Sequence, residues 1–150
     1  MHQLGNNWGI PEEEADNGDT EEPYQKYSKK DRTMGLSTHV LDTMHGTPAS
    51  GMAVTLYRGS DAGYTPLASF VLNEDGRPPQ GMLITHAELQ VGAYRLEFAV
   101  ADYFKACGVS LPEPNFLTSV HLDFGVAHAD QHYHVPLLVS PWSYSTYRGS

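Results

Sequence analysis

At 150 residues and 16.5 kDa the chain has room for one ordinary domain built around one core. Nine Lys and Arg against 18 Asp and Glu leave a formal charge of -9, which excludes the clustered basic surface that nucleic-acid binding requires and favours a small-molecule partner. The lone cysteine, Cys107, excludes an intrachain disulfide, and no apolar run approaches the ~20 residues needed to cross a bilayer.

Residues 1–33 hold only Leu4 and Ile10 among Leu, Ile, Val and Phe, alongside eight acids and four Lys or Arg. Such a segment buries too little apolar surface to offset its ordering entropy, so it is expected to be a disordered acidic arm. It has neither the charged start nor the apolar stretch of a secretory signal, which points to a cytoplasmic protein. Met34 directly precedes the first well-patterned segment, so a start there, with residues 1–33 as a dispensable leader, is an alternative reading. The folded domain is expected to span residues 34–150.

From Leu36 onward the dominant period is two. The runs LSTHVLDT, GMAVTLYR, PLASFVL, GAYRLEF, LTSVHLDF, HYHVPLLVS and WSYSTY are separated by Gly, Pro, Asn and Asp, and GMLIT supplies an eighth. Seven or eight short strands with turn signals between them predict an all-β sandwich or barrel. DYFKACG breaks the alternation just before Gly108, a natural helix stop, and predicts one short helix covering a sheet edge, with Cys107 buried in it.

Strand alternation assigns faces. In HYHVPLLVS, Tyr133, Val135, Leu137 and Val139 form the core set, while His132, His134, Pro136 and Leu138 share the opposite face. Ser37, His39 and Leu41 fall together in the first strand, as do Ser143, Ser145 and Tyr147 in the last. Apolar residues on such a face make sense where another surface covers it, which suggests a subunit interface lined by small, polar and imidazole groups.

Two histidines and an arginine suit hydrolysis. A neutral imidazole accepts a proton from water near pH 7, and a guanidinium offers fixed donors to a developing oxyanion. Arg77 lies in the turn-rich loop LNEDGRPPQG, whose Gly and Pro residues restrict its geometry. Each residue alone also fits a bland role, His39 or His134 as a structural strand histidine and Arg77 as a solvated loop residue.

His128, His132 and His134 invite a metal reading, since His-x-His on a strand projects both rings to one side, but no cluster of established zinc spacing completes the set. No metal and no cofactor is therefore expected. His45, His86 and His121 are expected at the surface, and the adjacent Glu74 and Asp75 in solvent. There is no Gly-x-Ser-x-Gly elbow, no GxGxxG and no phosphate loop.

The strings LSTHVLDTMHGTPA, NEDGR and HYHVPLLVSPWSYSTYRGS, in this order and spacing, resemble the three defining motifs of the transthyretin-like 5-hydroxyisourate hydrolases, and the resemblance covers residues 36–150 nearly without gaps. It implies a sandwich of two four-stranded sheets with one short helix, and a homotetramer built as a dimer of dimers with active sites between the dimers. It also implies hydrolysis of 5-hydroxyisourate to 2-oxo-4-hydroxy-4-carboxy-5-ureidoimidazoline on the route from urate to allantoin.

Carried over residue by residue, the catalytic set falls on His39, Arg77, His134 and the terminal Ser150, with Tyr147, Arg148 and Gly149 joining His39 and Arg77 in binding substrate. The sequence leaves open which histidine is the base. Transthyretin itself resembles the same scaffold without this combination, so a carrier of small apolar or iodinated aromatic ligands is the alternative function. Trp142, where related sequences often carry another aromatic, and the acidic leader depart from the family pattern without touching the catalytic set.

Overall fold

Alternating β-branched and aromatic residues in short runs do fold as strands, and a computed structural model describes residues 34–149 of the protein. The acidic arm, residues 1–33, and the terminal Ser150 lie outside the described residues. In chain order the elements are β1 (Gly35–Ser37), β2 (Val40–Asp42), β3 (Thr47–Pro48), β4 (Ala53–Ser60), β5 (Gly63–Val71), β6 (Ile84–Thr85), β7 (Gly92–Phe98), α1 (Val100–Ala106), β8 (Val120–Val126), β9 (Tyr133–His134), β10 (Leu137–Val139) and β11 (Tyr144–Thr146).

One antiparallel sheet has the order β5-β4-β7-β8, and a second has the order β11-β10-β2-β3. The two four-stranded sheets of the expected sandwich are thus present. A third ribbon, β6-β1-β9, extends the second sheet. It separates because both long runs break midway: Thr38 Oγ1 donates to the Val135 carbonyl at 2.6 Å, and Pro136 has no N–H for the ladder. The parallel pairing still carries through, since Val135 N–H donates to the Ser37 carbonyl (2.9 Å) and Leu137 N–H to that of His39 (3.0 Å).

The core lies between the sheets. Val54, Leu56, Leu96, Phe98 and Val120 from the first sheet meet Leu36, Val40, Leu137 and Val139 from the second side, all nearly or fully excluded from solvent. Each such side chain contributes on the order of 2 kcal/mol by leaving water. The predicted core set Tyr133, Val135, Leu137 and Val139 is buried, while Leu41 and Leu138 on the opposite face are half-buried.

Helix α1 ends where Gly108, at φ 89°, takes the left-handed conformation and donates its N–H to the Lys105 carbonyl. Its Tyr103 and Phe104 pack edge-to-face, and Tyr103 Oη donates to Asp42 Oδ2 at 2.8 Å, fastening the helix over the end of β2. The expected burial of Cys107 is overturned: it sits at the C-cap, beyond the packed turn that buries Val100, Ala101, Tyr103 and Phe104, and is exposed. No helix among the described residues is long and apolar enough to cross a membrane.

Candidate functional site

The site begins at the break in the second sheet. Strand pairing sets Ser37 of β1 opposite His134 of β9, and His39 follows in the gap before β2. The loop that carries Arg77 is closed by its own Asn73, whose Oδ1 accepts from the N–H groups of Asp75 (2.9 Å) and Arg77 (3.1 Å). The next residue inward, Gly76, has φ 75°, and its carbonyl accepts from Val40 N–H at 3.0 Å. A Cβ there would stand 2.6 Å from the Val40 carbonyl oxygen, so only glycine lets the loop dock onto the strand beside His39. Docking places half-buried Arg77 where its charge acts on both His39 and His134.

His134 is 6% exposed and held from two sides. On one, Ser37 Oγ lies 2.8 Å from Nδ1. On the other the chain terminus crosses the ring: Gly149 N–H donates to the His134 carbonyl at 2.7 Å, and His134 N–H returns to the Gly149 carbonyl at 3.4 Å. The His132 ring stacks alongside, its centroid 6.5 Å from that of His134, and its Nε2 is 3.3 Å from the same Ser37 Oγ.

This crowding suppresses protonation. Burial, then the neighbouring His132, His39 and Arg77, pushes His134 down to about 4. His39 is lowered by burial and by Arg77, against the opposing pull of the Asp75 backbone and carboxylate. His132 is lowered by burial and, to a lesser extent, by Arg148, with the Gly35 backbone opposing. Each shift favours the neutral imidazole, the form able to accept a proton. Burial also lowers Arg77, opposed by Asp75, and leaves a guanidinium in a partly desolvated place where its donors act strongly.

The tail residues divide. Gly149 touches His134, but Arg148 turns to the fold: its guanidinium lies 4.1 Å above the Tyr133 ring and donates to Gln131 Oε1 (3.0 Å) and the His132 carbonyl (3.1 Å). Tyr147 is 62% exposed. An open depression lined by Met34, Asp130, Gln131, His132, Arg148 and Gly149 borders the tail, but neither His39 nor Arg77 lines it.

Among the described residues no three His, Cys, Asp or Glu side chains gather as a metal site, and His128 stands exposed with its backbone N–H on Tyr133 Oη. His121 and His45 are exposed, the first near Glu97 and the second bonded to the buried Asp42, whereas His86 is half-buried. Ser37 is the neighbour that sequence reasoning did not single out as a site residue. Period two puts it on the face of His39, but its partner 97 residues away becomes visible only when β1 pairs with β9.

The model of the HIUase/Transthyretin family matches residues 36–149. A 5-hydroxyisourate hydrolase of Ralstonia nicotianae is 56% identical over 115 residues, which are 77% of this chain and 97% of that protein. The solved 5-hydroxyisourate hydrolase of Klebsiella pneumoniae is 34% identical with a TM-score of 0.62, over 78% of this chain and 94% of that one. Sea bream transthyretin in complex with thyroxine is 32% identical with a TM-score of 0.67, over 77% and 94% of the two chains.

Proposed function

The chain belongs to the HIUase/transthyretin family, and from that membership we propose that it hydrolyses 5-hydroxyisourate through His39, Arg77 and His134. The chain is a hydrolase: the Ralstonia nicotianae relative that carries this activity in its name shares 56% of residues, against 32% for sea bream transthyretin. The observation that carries the catalytic reading is the convergence of a buried neutral imidazole, His134, with a partly desolvated cation, Arg77.

In the proposed mechanism water attacks the lactam carbonyl of the six-membered ring. His134, assisted by His39, takes the proton as the new C–O bond forms, and Arg77 donates to the oxyanion. The C–N bond then breaks, and the proton held by the imidazole passes to the departing nitrogen. Gly149 holds the tail against His134 and Arg148 anchors it, while Tyr147 and Ser150 orient the ring by hydrogen bonds.

The same reading makes the assembly a homotetramer, a dimer of dimers with the sites between dimers. The half-buried Leu41 and Leu138 support it, because they lie on the outward face of β2 and β10 that a second copy would cover. Residues 34–150 form the hydrolase domain, and the protein acts in the cytoplasm without a metal or cofactor.

The test is the decay of freshly generated 5-hydroxyisourate absorbance with and without protein. Acceleration well beyond the spontaneous decay is expected. A protein that leaves the decay unchanged yet binds thyroxine is a carrier, and the proposal fails.

A further inference from the structure

Ser37 takes no part in the steps above, yet it is 5% exposed and its hydroxyl sits between two ring nitrogens, 2.8 Å from Nδ1 of His134 and 3.3 Å from Nε2 of His132. A serine hydroxyl has one hydrogen to donate and two lone pairs, and a neutral imidazole carries one hydrogen on one of its nitrogens. Three arrangements are therefore open. Ser37 donates to His134, which then carries its hydrogen on Nε2; or it donates to His132 and accepts from Nδ1–H of His134; or it accepts from both rings. Only the first leaves His134 unable to take a proton at Nε2.

Two features disfavour the first arrangement. It requires His132 to carry its hydrogen on Nε2 if that ring is to bond Ser37, which leaves a lone pair on Nδ1. That atom is buried without a partner at full hydrogen-bond geometry, and the backbone group acting on the ring is that of Gly35. An N–H drawn toward a carbonyl is favourable there, whereas a buried lone pair facing it is repelled. On the other ring, Nδ1 is engaged by Ser37, and the charge of Arg77 acts on His134. A nearby cation favours a lone pair over a second N–H.

We propose that Ser37 is a positioning residue: it accepts from Nδ1–H of His134 and donates to Nε2 of His132, so that His134 presents an unprotonated Nε2 to the reacting water. The relay His132–Ser37–His134 sets the tautomer of the base and holds the plane of its ring, as second-layer partners do for other functional imidazoles. The inference rests on the reading of His134 as base, and extends it to two residues that touch no substrate.

The experiment uses the full chain labelled with ¹⁵N-histidine. Two-bond ¹H–¹⁵N correlation spectra report which ring nitrogen carries hydrogen, with signals assigned through His132→Asn and His134→Asn variants. Hydrogen on Nδ1 of His134 is expected in the wild type. In Ser37→Ala that signature should be lost or mixed, kcat should fall on the order of 100-fold with KM nearly unchanged, and Ser37→Thr should restore most of the rate.

A wild-type spectrum with hydrogen on Nε2 overturns the inference even if hydrolysis is fast, and this readout stands should Ser37→Ala fail to fold. Ser37→Ala with wild-type kcat, or with lost activity that follows melting temperature while the tautomer is unchanged, overturns it as well. Absent hydrolysis with Nδ1–H intact counts instead against the proposed function.

Discussion

Gly149 lies flat against His134: a Cβ added to Gly149 would come within 2.9 Å of His134 Cδ2 and 3.2 Å of its Cβ. The tail backbone exchanges hydrogen bonds with His134 at the same point, so glycine is what lets the terminus cross the ring. Gly149→Ala should push tail and ring apart by a few tenths of an ångström or more. Because displacement of a reacting group by about 1 Å costs on the order of 100-fold, kcat/KM should fall by roughly 10- to 100-fold, with the melting temperature nearly unchanged. Steady-state assay of 5-hydroxyisourate decay beside a thermal melt checks this; an unimpaired enzyme would mean that the contact does not matter to turnover.

Arg77 and its loop separate chemistry from docking. Arg77→Glu should abolish turnover, a loss of at least the 100- to 1000-fold typical of one oxyanion donor, while leaving a folded protein by circular dichroism. Gly76→Ala should do both kinds of damage, since its φ of 75° and the Val40 carbonyl 2.6 Å from a new Cβ make alanine strained and obstructed. A destabilisation of about 1–3 kcal/mol is expected from chemical unfolding, together with a drop in activity as Arg77 moves from His39. If Gly76→Ala melts and turns over like the wild type, the loop is not held by this contact.

The contrast between those two residues shows what the sequence discloses. Period-two patterning and turn chemistry reveal nearly every strand, the helix stop at Gly108 and the buried set of Tyr133, Val135, Leu137 and Val139, because these are local properties of the chain. They do not reveal that residues 35–42 run parallel to 133–139, a pairing across almost the whole domain, and hence not the Ser37–His134 contact. The family resemblance points to His39, Arg77 and His134, and the structure brings those three within electrostatic reach of one another. Arg148, grouped with the substrate-binding residues by motif, also contacts Tyr133, Gln131 and the His132 carbonyl, partners that the motif does not disclose. Short isolated pairs such as β3, and the burial of Asp42, escaped periodicity because they are decided by tertiary partners.

Acid should affect activity late and stability early. His134 has its folded value pushed down to about 4 by burial and by the neighbouring His132, His39 and Arg77, while in the unfolded chain it titrates near 6.5. Lowering the pH from 6.5 toward 4 therefore protonates the unfolded chain first, and stability declines through that window. The full effect is at most about 3 kcal/mol at about 1.36 kcal/mol per pKa unit. The neutral imidazole persists in the folded enzyme over the same range, so the acid limb of kcat/KM should lie below the usual histidine value. Melting temperature and kcat/KM followed from pH 7.5 to 4.5 test both, and His134→Asn should flatten the stability slope. An acid limb at 6.5 or above would contradict the buried neutral base.

Asp42 supplies the strongest stability prediction. Its side chain is fully buried at the end of β2, where burial raises its pKa but hydrogen bonds from the His45 ring (2.6 Å), His45 N–H (2.9 Å) and Tyr103 Oη (2.8 Å) outweigh it and leave the carboxyl lowered. A lowered folded value means that the stability it adds is present above the unfolded pKa, near 3.9, and is lost as pH falls through the folded value. Asp42→Ala should cost about 2–4 kcal/mol at neutral pH, because it takes the carboxylate acceptor from the buried Tyr103 hydroxyl as well as removing charged hydrogen bonds. Tyr103→Phe alone removes one bond from a carboxylate that keeps its His45 partners, and should cost less. In the double variant the Tyr103 hydroxyl is gone, so the combined loss should fall short of the sum of the two by on the order of 1 kcal/mol. Urea unfolding of the four proteins measures that difference, and strict additivity would show that helix α1 is held over β2 by its apolar packing rather than by this carboxylate.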